Sequence, residues 1–245
     1  MEQRSFQLQG QWCKIHYPER PNGFAVFILG DGHHFVEQKD SFWTQHYGRA
    51  YLLEELKQEG YLVFYSHLFG KHWGSKRAVE FAVQLYHYIC QKEIINHKIH
   101  ILSEGMGVLV AKQLMERIPG QIRSMTLLQP CLSLKKYIRQ EKKNKVFYKK
   151  LKQEMAAAHK VPLEQCEQII NDESLNILMN TNIPLQFIHI LDHSRYQPQM
   201  ELSRRINIVR KQKGKSIEIQ YLLPEKRGMV GRKMIRFFKK NEKVL

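Results

Sequence analysis

The stretch Ile101-Leu102-Ser103-Glu104-Gly105-Met106-Gly107-Val108-Leu109-Val110-Ala111 changes character twice. It enters as the end of a strand-like run, Lys98 to Leu102, and crosses the turn Ser103-Glu104-Gly105-Met106-Gly107. It then continues with Val108, Leu109, Ala111, Leu114 and Met115 at helical spacing until Pro119-Gly120. A run of strand length, a glycine-containing turn and an apolar-striped helix together describe a buried parallel strand feeding a crossover helix.

The same rhythm extends in both directions. Upstream, Phe24 to Leu29 is a continuous apolar run followed by Gly30-Asp31-Gly32. A helix is expected from Tyr47 to Glu59, closed by Gly60, then a strand at Tyr61 to Tyr65 and a helix from about Lys76 to Gln91 with Val79, Val83, Tyr86 and Ile89 on one stripe. Downstream, Ser124 to Leu128 reads as a strand stopped by Pro130, Pro184 to Ile190 as a strand, Gln199 to Lys213 as a helix, Ser216 to Leu222 as a strand and Val230 to Lys240 as a helix. Between them, the lysine-rich Leu134 to Lys160 and a second helical stretch, Leu163 to Leu178, interrupt the alternation. The expectation is an α/β fold with a mainly parallel sheet covered by helices on both faces, built from residues 1–133 and 180–245, with a small helical cap inserted at 134–179. In such sheets ligands sit beyond the carboxyl ends of the strands, so the turns at Gly30 and Gly105 are where function is sought.

Composition narrows the classes. The chain has 245 residues, enough to bury a core without disulfides or metals. Its cysteines, Cys13, Cys90, Cys131 and Cys166, form no C-x-x-C pair and read as free thiols of a reducing compartment. Met1 to Ser5 lacks the apolar run of a secretory signal, and no apolar stretch approaches the ~20 residues of a membrane span, so the cytoplasm is the expected location. Lys and Arg number 39 against 23 Asp and Glu, a net +16 that favours acidic partners, although the charge is spread over several segments.

The turn at Gly105 resembles the nucleophile elbow of the α/β-hydrolase superfamily, whose form is small-x-nucleophile-x-small between a strand and a helix. Ser103 and Gly107 fill the small positions, which puts Gly105 at the nucleophile position. The alternative register, with Ser103 as nucleophile, places the bulky Ile101 where a small residue is needed. The resemblance implies an acid after the strand that follows the cap, and Asp192 matches. It also implies a histidine in the loop from Leu223 to Gly231, and none is there; the last histidine of the chain is His193. Glycine cannot form an acyl-enzyme, and removing the nucleophile of a triad costs about a millionfold in rate. The resemblance therefore implies a degenerate member of the fold lacking both the serine and the histidine.

The first turn, Gly30-Asp31-Gly32-His33-His34, falls where that superfamily places oxyanion-hole backbone. With His72, Trp73, Glu104, Gly105 and Met106 it makes the candidate ligand-binding set. His33, His34, His67, His72 and His193 with Glu104 or Asp192 could only form a metal site without any H-E-x-x-H motif, so neither metal nor cofactor is expected. Cys131 has no adjacent histidine to activate it. The leading expectation is a non-catalytic protein binding a small molecule or a protein partner in the crevice above Gly105. One alternative is an active, esterase-like hydrolase with a rearranged site drawn from Ser103, Glu104, Cys131, Asp192 and the histidines near the crevice. Another is a basic adaptor for nucleic acid or anionic lipid, through the lysine-rich cap with Tyr137, Phe147 and Tyr148 or through the basic C-terminal helix.

Overall fold

A computed structural model describes residues 3–168, 174–192 and 195–242. In chain order they form β1 (Gln3–Leu8), β2 (Gln11–His16), β3 (Ala25–Leu29), the one-turn helix α1 (Phe42–Gln45), α2 (Tyr47–Gln58), β4 (Leu62–Ser66), α3 (Lys76–Lys92), β5 (Ile99–Glu104), α4 (Gly107–Arg117), β6 (Ile122–Leu128), α5 (Leu134–Glu141), α6 (Lys145–His159), α7 (Ser174–Asn180), β7 (Leu185–Ile190), α8 (Met200–Gln212), β8 (Ile217–Leu222) and α9 (Val230–Lys240). The strands make one eight-stranded sheet in the order β1-β2-β4-β3-β5-β6-β7-β8, parallel from β4 to β8.

Alternation along the central strands divides the core. Ala25, Phe27 and Leu29 of β3 face the layer of α3, α4, α7 and α8, whereas Val26 and Ile28 face α1, α2 and α9. Each strand is buried on both faces, which is why these runs read as mainly apolar. The amphipathic C-terminal helix spends its stripe here: Met234, Phe237 and Phe238 of α9 are buried against the sheet rather than offered to a membrane.

The antiparallel pair β1–β2 is not part of the sequence expectation. Its turn, Gln9-Gly10, has positive φ at both residues, as a tight hairpin needs. Lys14 hides the pattern of β2. That lysine is fully buried, and its ammonium donates to Ser5 Oγ at 3.0 Å, to the Lys39 carbonyl at 3.0 Å and to the Gln38 carbonyl at 3.2 Å. The single helix expected from Leu163 to Leu178 is also replaced. Residues 163–168 are turns with Cys166 buried and Leu163 exposed, too sparse a stripe to bury a helix, residues 169–173 lie outside the described residues, and α7 follows. Leu178 of α7 is packed in the main core.

The helices of the lysine-rich segment, α5 and α6, here termed the cap, pack in a third apolar cluster shared with the sheet domain. Trp73, Met106, Leu109, Tyr137, Leu151 and Met155 belong to it, so the cap sits directly on the start of α4. Among the described residues, no helix is long and apolar enough to cross a membrane.

Candidate functional site

The strand order reverses at β3: β4 lies on one side of it and β5 on the other. The loops leaving β3 and β5 therefore diverge to opposite sides and leave a crevice at the carboxyl end of the sheet. β5 ends at Glu104 and α4 begins at Gly107, so Gly105 and Met106 make the whole turn. Gly105 has φ +54°, a conformation glycine adopts without cost. A β-carbon on Gly107 would overlap the Leu29 carbonyl, so the second small position is dictated by backbone approach. Ser103 is inside β5, paired with Leu29 of β3 and Leu127 of β6. Its hydroxyl is sealed, with no hydrogen-bond partner among the described residues.

Asp31 fills the space over Gly105. Its carboxyl atoms lie 2.6–2.9 Å from where a β-carbon on Gly105 would stand. Asp31 Oδ1 accepts from the backbone N–H of Gly32 at 2.9 Å, the backbone N–H of Met106 at 3.0 Å and the Tyr196 hydroxyl at 3.3 Å. A backbone donor at a strand-to-helix turn is the kind of group that can receive an oxyanion. Here it is occupied by a carboxylate of the chain itself.

Asp192 follows β7, and its Oδ2 accepts from Arg227 Nη2 at 2.6 Å while Oδ1 accepts from Gln129 Nε2 at 3.0 Å. Arg227 lies in the turn that joins β8 to α9, the loop that contains no histidine. His193 lies outside the described residues.

Glu104 is held by Arg49 of α2, which donates through Nε at 2.8 Å and through Nη2 to the other carboxylate oxygen. Burial alone would raise the Glu104 carboxyl, but the Arg49 guanidinium prevails and holds it below the usual carboxylate range. His34 is stacked on Phe42 with ring centres 4.1 Å apart, and its Nδ1 accepts the Asp31 N–H at 3.1 Å, which leaves the proton on Nε2, 4.0 Å from Glu104. Burial pushes the His34 imidazole below its ordinary value.

Above these groups is a cleft of about 860 Å³. Asp31, Glu104, Gly105, Gln129, Asp192 and Arg227 are in its lining, and Tyr47, Tyr51 and Met229 stand at its mouth with 89%, 47% and 38% of their surfaces exposed. His46, at the junction of α1 and α2, is the only histidine lining it among the described residues.

Of the candidate ligand-binding residues, Asp31, Glu104 and Gly105 are brought together in this lining, while Gly30, Gly32 and Met106 shape the turns beneath. His33 is exposed outside it. His72 and Trp73 go elsewhere. Trp73 stacks on Tyr137 of the cap at 5.6 Å and donates its indole N–H to Glu154, so it anchors the cap. His72 is buried, accepts the Gly74 N–H on Nδ1 and is pushed down to about 3 by burial. Cys131 donates its backbone N–H to the Gly105 carbonyl, and burial pushes its thiol up to about 12, so no thiolate is available there. Among the described residues, no three His, Cys, Asp or Glu side chains converge as metal ligands. Sequence reasoning missed Arg49, His46, Gln129, Tyr196 and Arg227. Only Arg227 carried a signal, by standing in the loop whose histidine is absent.

The whole arrangement is similar to solved hydrolases. The acylaminoacyl peptidase of Pyrococcus horikoshii superposes over 100% of this chain with a TM-score of 0.68 at 14% identity. Est1E of Butyrivibrio proteoclasticus gives 0.65 at 12% identity, with 98% of both chains covered. A carboxylesterase of Nitrososphaera gargenis gives 0.60 at 10% identity, with 97% of both covered. The chain has the α/β-hydrolase fold. It spans 43% of the length of the P. horikoshii peptidase and nearly all of Est1E. No family model matches the sequence, and no curated protein matches it. At these identities the likeness to α/β-hydrolases is one of fold.

Proposed function

We propose that this α/β-hydrolase-fold protein is a binding protein without acyl-transfer chemistry, taking a small molecule or a projecting side chain of a protein partner in the cleft above Gly105. The observation that carries this reading is the Asp31 carboxylate against Gly105, hydrogen-bonded to Met106 N–H. Three supports run together. The turn apex has no side chain to acylate. The donor that would stabilise a tetrahedral oxyanion already holds an anion, so a substrate carbonyl must compete with it. Asp192 orients a guanidinium, which offers donors only and has no lone pair with which to take a proton from a nucleophile as an imidazole does.

What remains is a concave site lined by Tyr47, Tyr51 and Tyr196 together with five acidic and five basic side chains. Six of the charged side chains are paired, Arg49 with Glu104, Arg227 with Asp192 and Arg232 with Glu55, and the mixture of tyrosine rings and charges of both signs suits a ligand with an apolar part and polar groups. The test is a thermal-shift screen of small molecules on the intact chain and on Tyr51→Glu, which places a charge at the mouth. Compounds that raise the unfolding temperature of the parent and not of the variant support the reading. Equal shifts in both proteins, or none in either, count against it.

A second reading keeps an active site. The Asp31 carboxyl stands over the apex, and His46 lines the same cleft. Under that reading Asp31→Asn and His46→Ala abolish a measurable esterase activity. The three donors already on Asp31 Oδ1 weaken it as a nucleophile and favour the first reading.

A further inference from the structure

We propose that the tip of the cap, where α5 turns into α6, docks on an anionic lipid surface. The cap concentrates the protein's charge. Residues 134–160 hold ten Lys or Arg against two acidic residues, half of the net +16 of the whole chain. The charge is placed together with exposed apolar surface: Val146 and Phe147, in the first turn of α6, are 75% and 59% exposed. Lys143, Lys145, Lys149 and Lys150 surround them and are all exposed. Among the described residues no ion pair neutralises these four, whereas the neighbouring Lys142 is bound to Glu167.

Among the described residues, neither Val146 nor Phe147 belongs to an apolar cluster. The inner stripe of α6, Leu151 and Met155, already seals the cap on Trp73 and Tyr137. Tyr148, the one aromatic of this turn that faces inward, is held by Glu167 and by the ammonium groups of Lys142 and Lys152. α9 makes the contrast. It is also basic and amphipathic, but its apolar stripe is consumed by the sheet, leaving only charge outside. At the cap tip both halves of an interfacial anchor face solvent. Apolar side chains enter the boundary between headgroups and acyl chains, and lysines around them meet the negative surface potential.

Charge complementarity alone would suit nucleic acid equally. Val146 separates the two, since an aliphatic side chain at the centre of the patch gains from acyl chains and offers no stacking face to bases. No base-reading motif accompanies it.

The experiment is co-sedimentation of the intact chain with phosphatidylcholine vesicles, with and without phosphatidylglycerol, in parallel with a duplex-DNA binding assay. Two variants are compared, Val146→Ser/Phe147→Ser and Lys145→Glu/Lys149→Glu. All four positions are exposed, so both variants should keep the parent's circular dichroism and unfolding midpoint. The proposal expects binding to the phosphatidylglycerol vesicles only, falling by about tenfold or more in each variant. No binding to anionic vesicles, or binding that neither variant weakens, overturns it. DNA binding lost in the lysine variant and kept in the Val146/Phe147 variant, with no vesicle binding, overturns it in favour of nucleic acid. Because neither variant touches the cleft, a failure here leaves the thermal-shift result on Tyr51→Glu unaffected.

Discussion

The Asp31 carboxylate lies 2.6–2.9 Å from the position of a β-carbon on Gly105, so the two residues are complementary: one supplies the volume the other lacks. Placing a serine at Gly105 is therefore not a simple gain of a hydroxyl. The L-residue must adopt φ +54° and displace a carboxylate fixed by three donors. Gly105→Ser is expected to lose about 1–3 kcal/mol of stability by urea denaturation and to gain no esterase activity. Adding Asp31→Gly should recover part of that loss, giving a non-additive double-mutant cycle. Additive effects would separate the two residues.

The Arg49–Glu104 pair ties α2 to the end of β5. Both side chains are largely buried, at 17% and 12% exposed, so removing one partner strands the other away from water. Glu104→Gln is expected to cost about 3 kcal/mol, and Arg49→Met/Glu104→Met less than either single change to methionine. Urea midpoints of the three methionine variants test the order.

Arg210 of α8 is fully buried and donates to the carbonyls of Leu178, Thr181, Ile183 and Ser216 at 2.7–3.0 Å. One side chain thereby closes the end of α7 and the entries to β7 and β8. Burial lowers its pKa to about 10, still charged at neutral pH. Arg210→Met should cost about 3 kcal/mol or more, because four carbonyls lose their donor in a dry site. Arg210→Lys should cost less, since an ammonium keeps the charge and some of the bonds.

Acid should unfold the protein early. Burial holds His16 and His72 down to about 3 and His189 to about 4, against an ordinary 6.5. Between those values the unfolded chain binds protons that the folded chain refuses. The stability these groups contribute is complete above about pH 6.5 and falls as the pH drops towards 3–4, by up to about 1.4 kcal/mol per unit for each group. Urea midpoints should decline steadily from pH 7 to pH 5, and His72→Asn should flatten the slope. A midpoint that is level or rises on acidification contradicts this account.

Much of the fold was legible because the central strands are buried on both faces and read as short, mainly apolar runs between turn signals. Phe24 to Leu29 and Ser124 to Leu128 each fall within a residue or two of β3 and β6. The turn at Gly105 was legible for a steric reason: Gly107 must be small beside the Leu29 carbonyl, and a glycine is the residue that φ +54° at position 105 asks for. The hairpin at the start was obscured by Lys14, whose burial depends on carbonyls at Gln38 and Lys39 far along the chain. The site was legible only in its turns. Arg49, His46 and Tyr196 arrive from helices and loops whose spacing says nothing of the cleft, while His72 and Trp73, near it in sequence, are turned away by the packing of the cap. Tertiary placement of polar side chains has no local period to read.

Burst kinetics with p-nitrophenyl butyrate address the central claim most directly. The account predicts no burst of p-nitrophenolate, and a slow release, if any, that is identical in the parent, Asp31→Asn, His46→Ala and Ser103→Ala proteins. A burst stoichiometric with protein, or a turnover that one of these substitutions removes, would show that the crevice carries out acyl transfer after all.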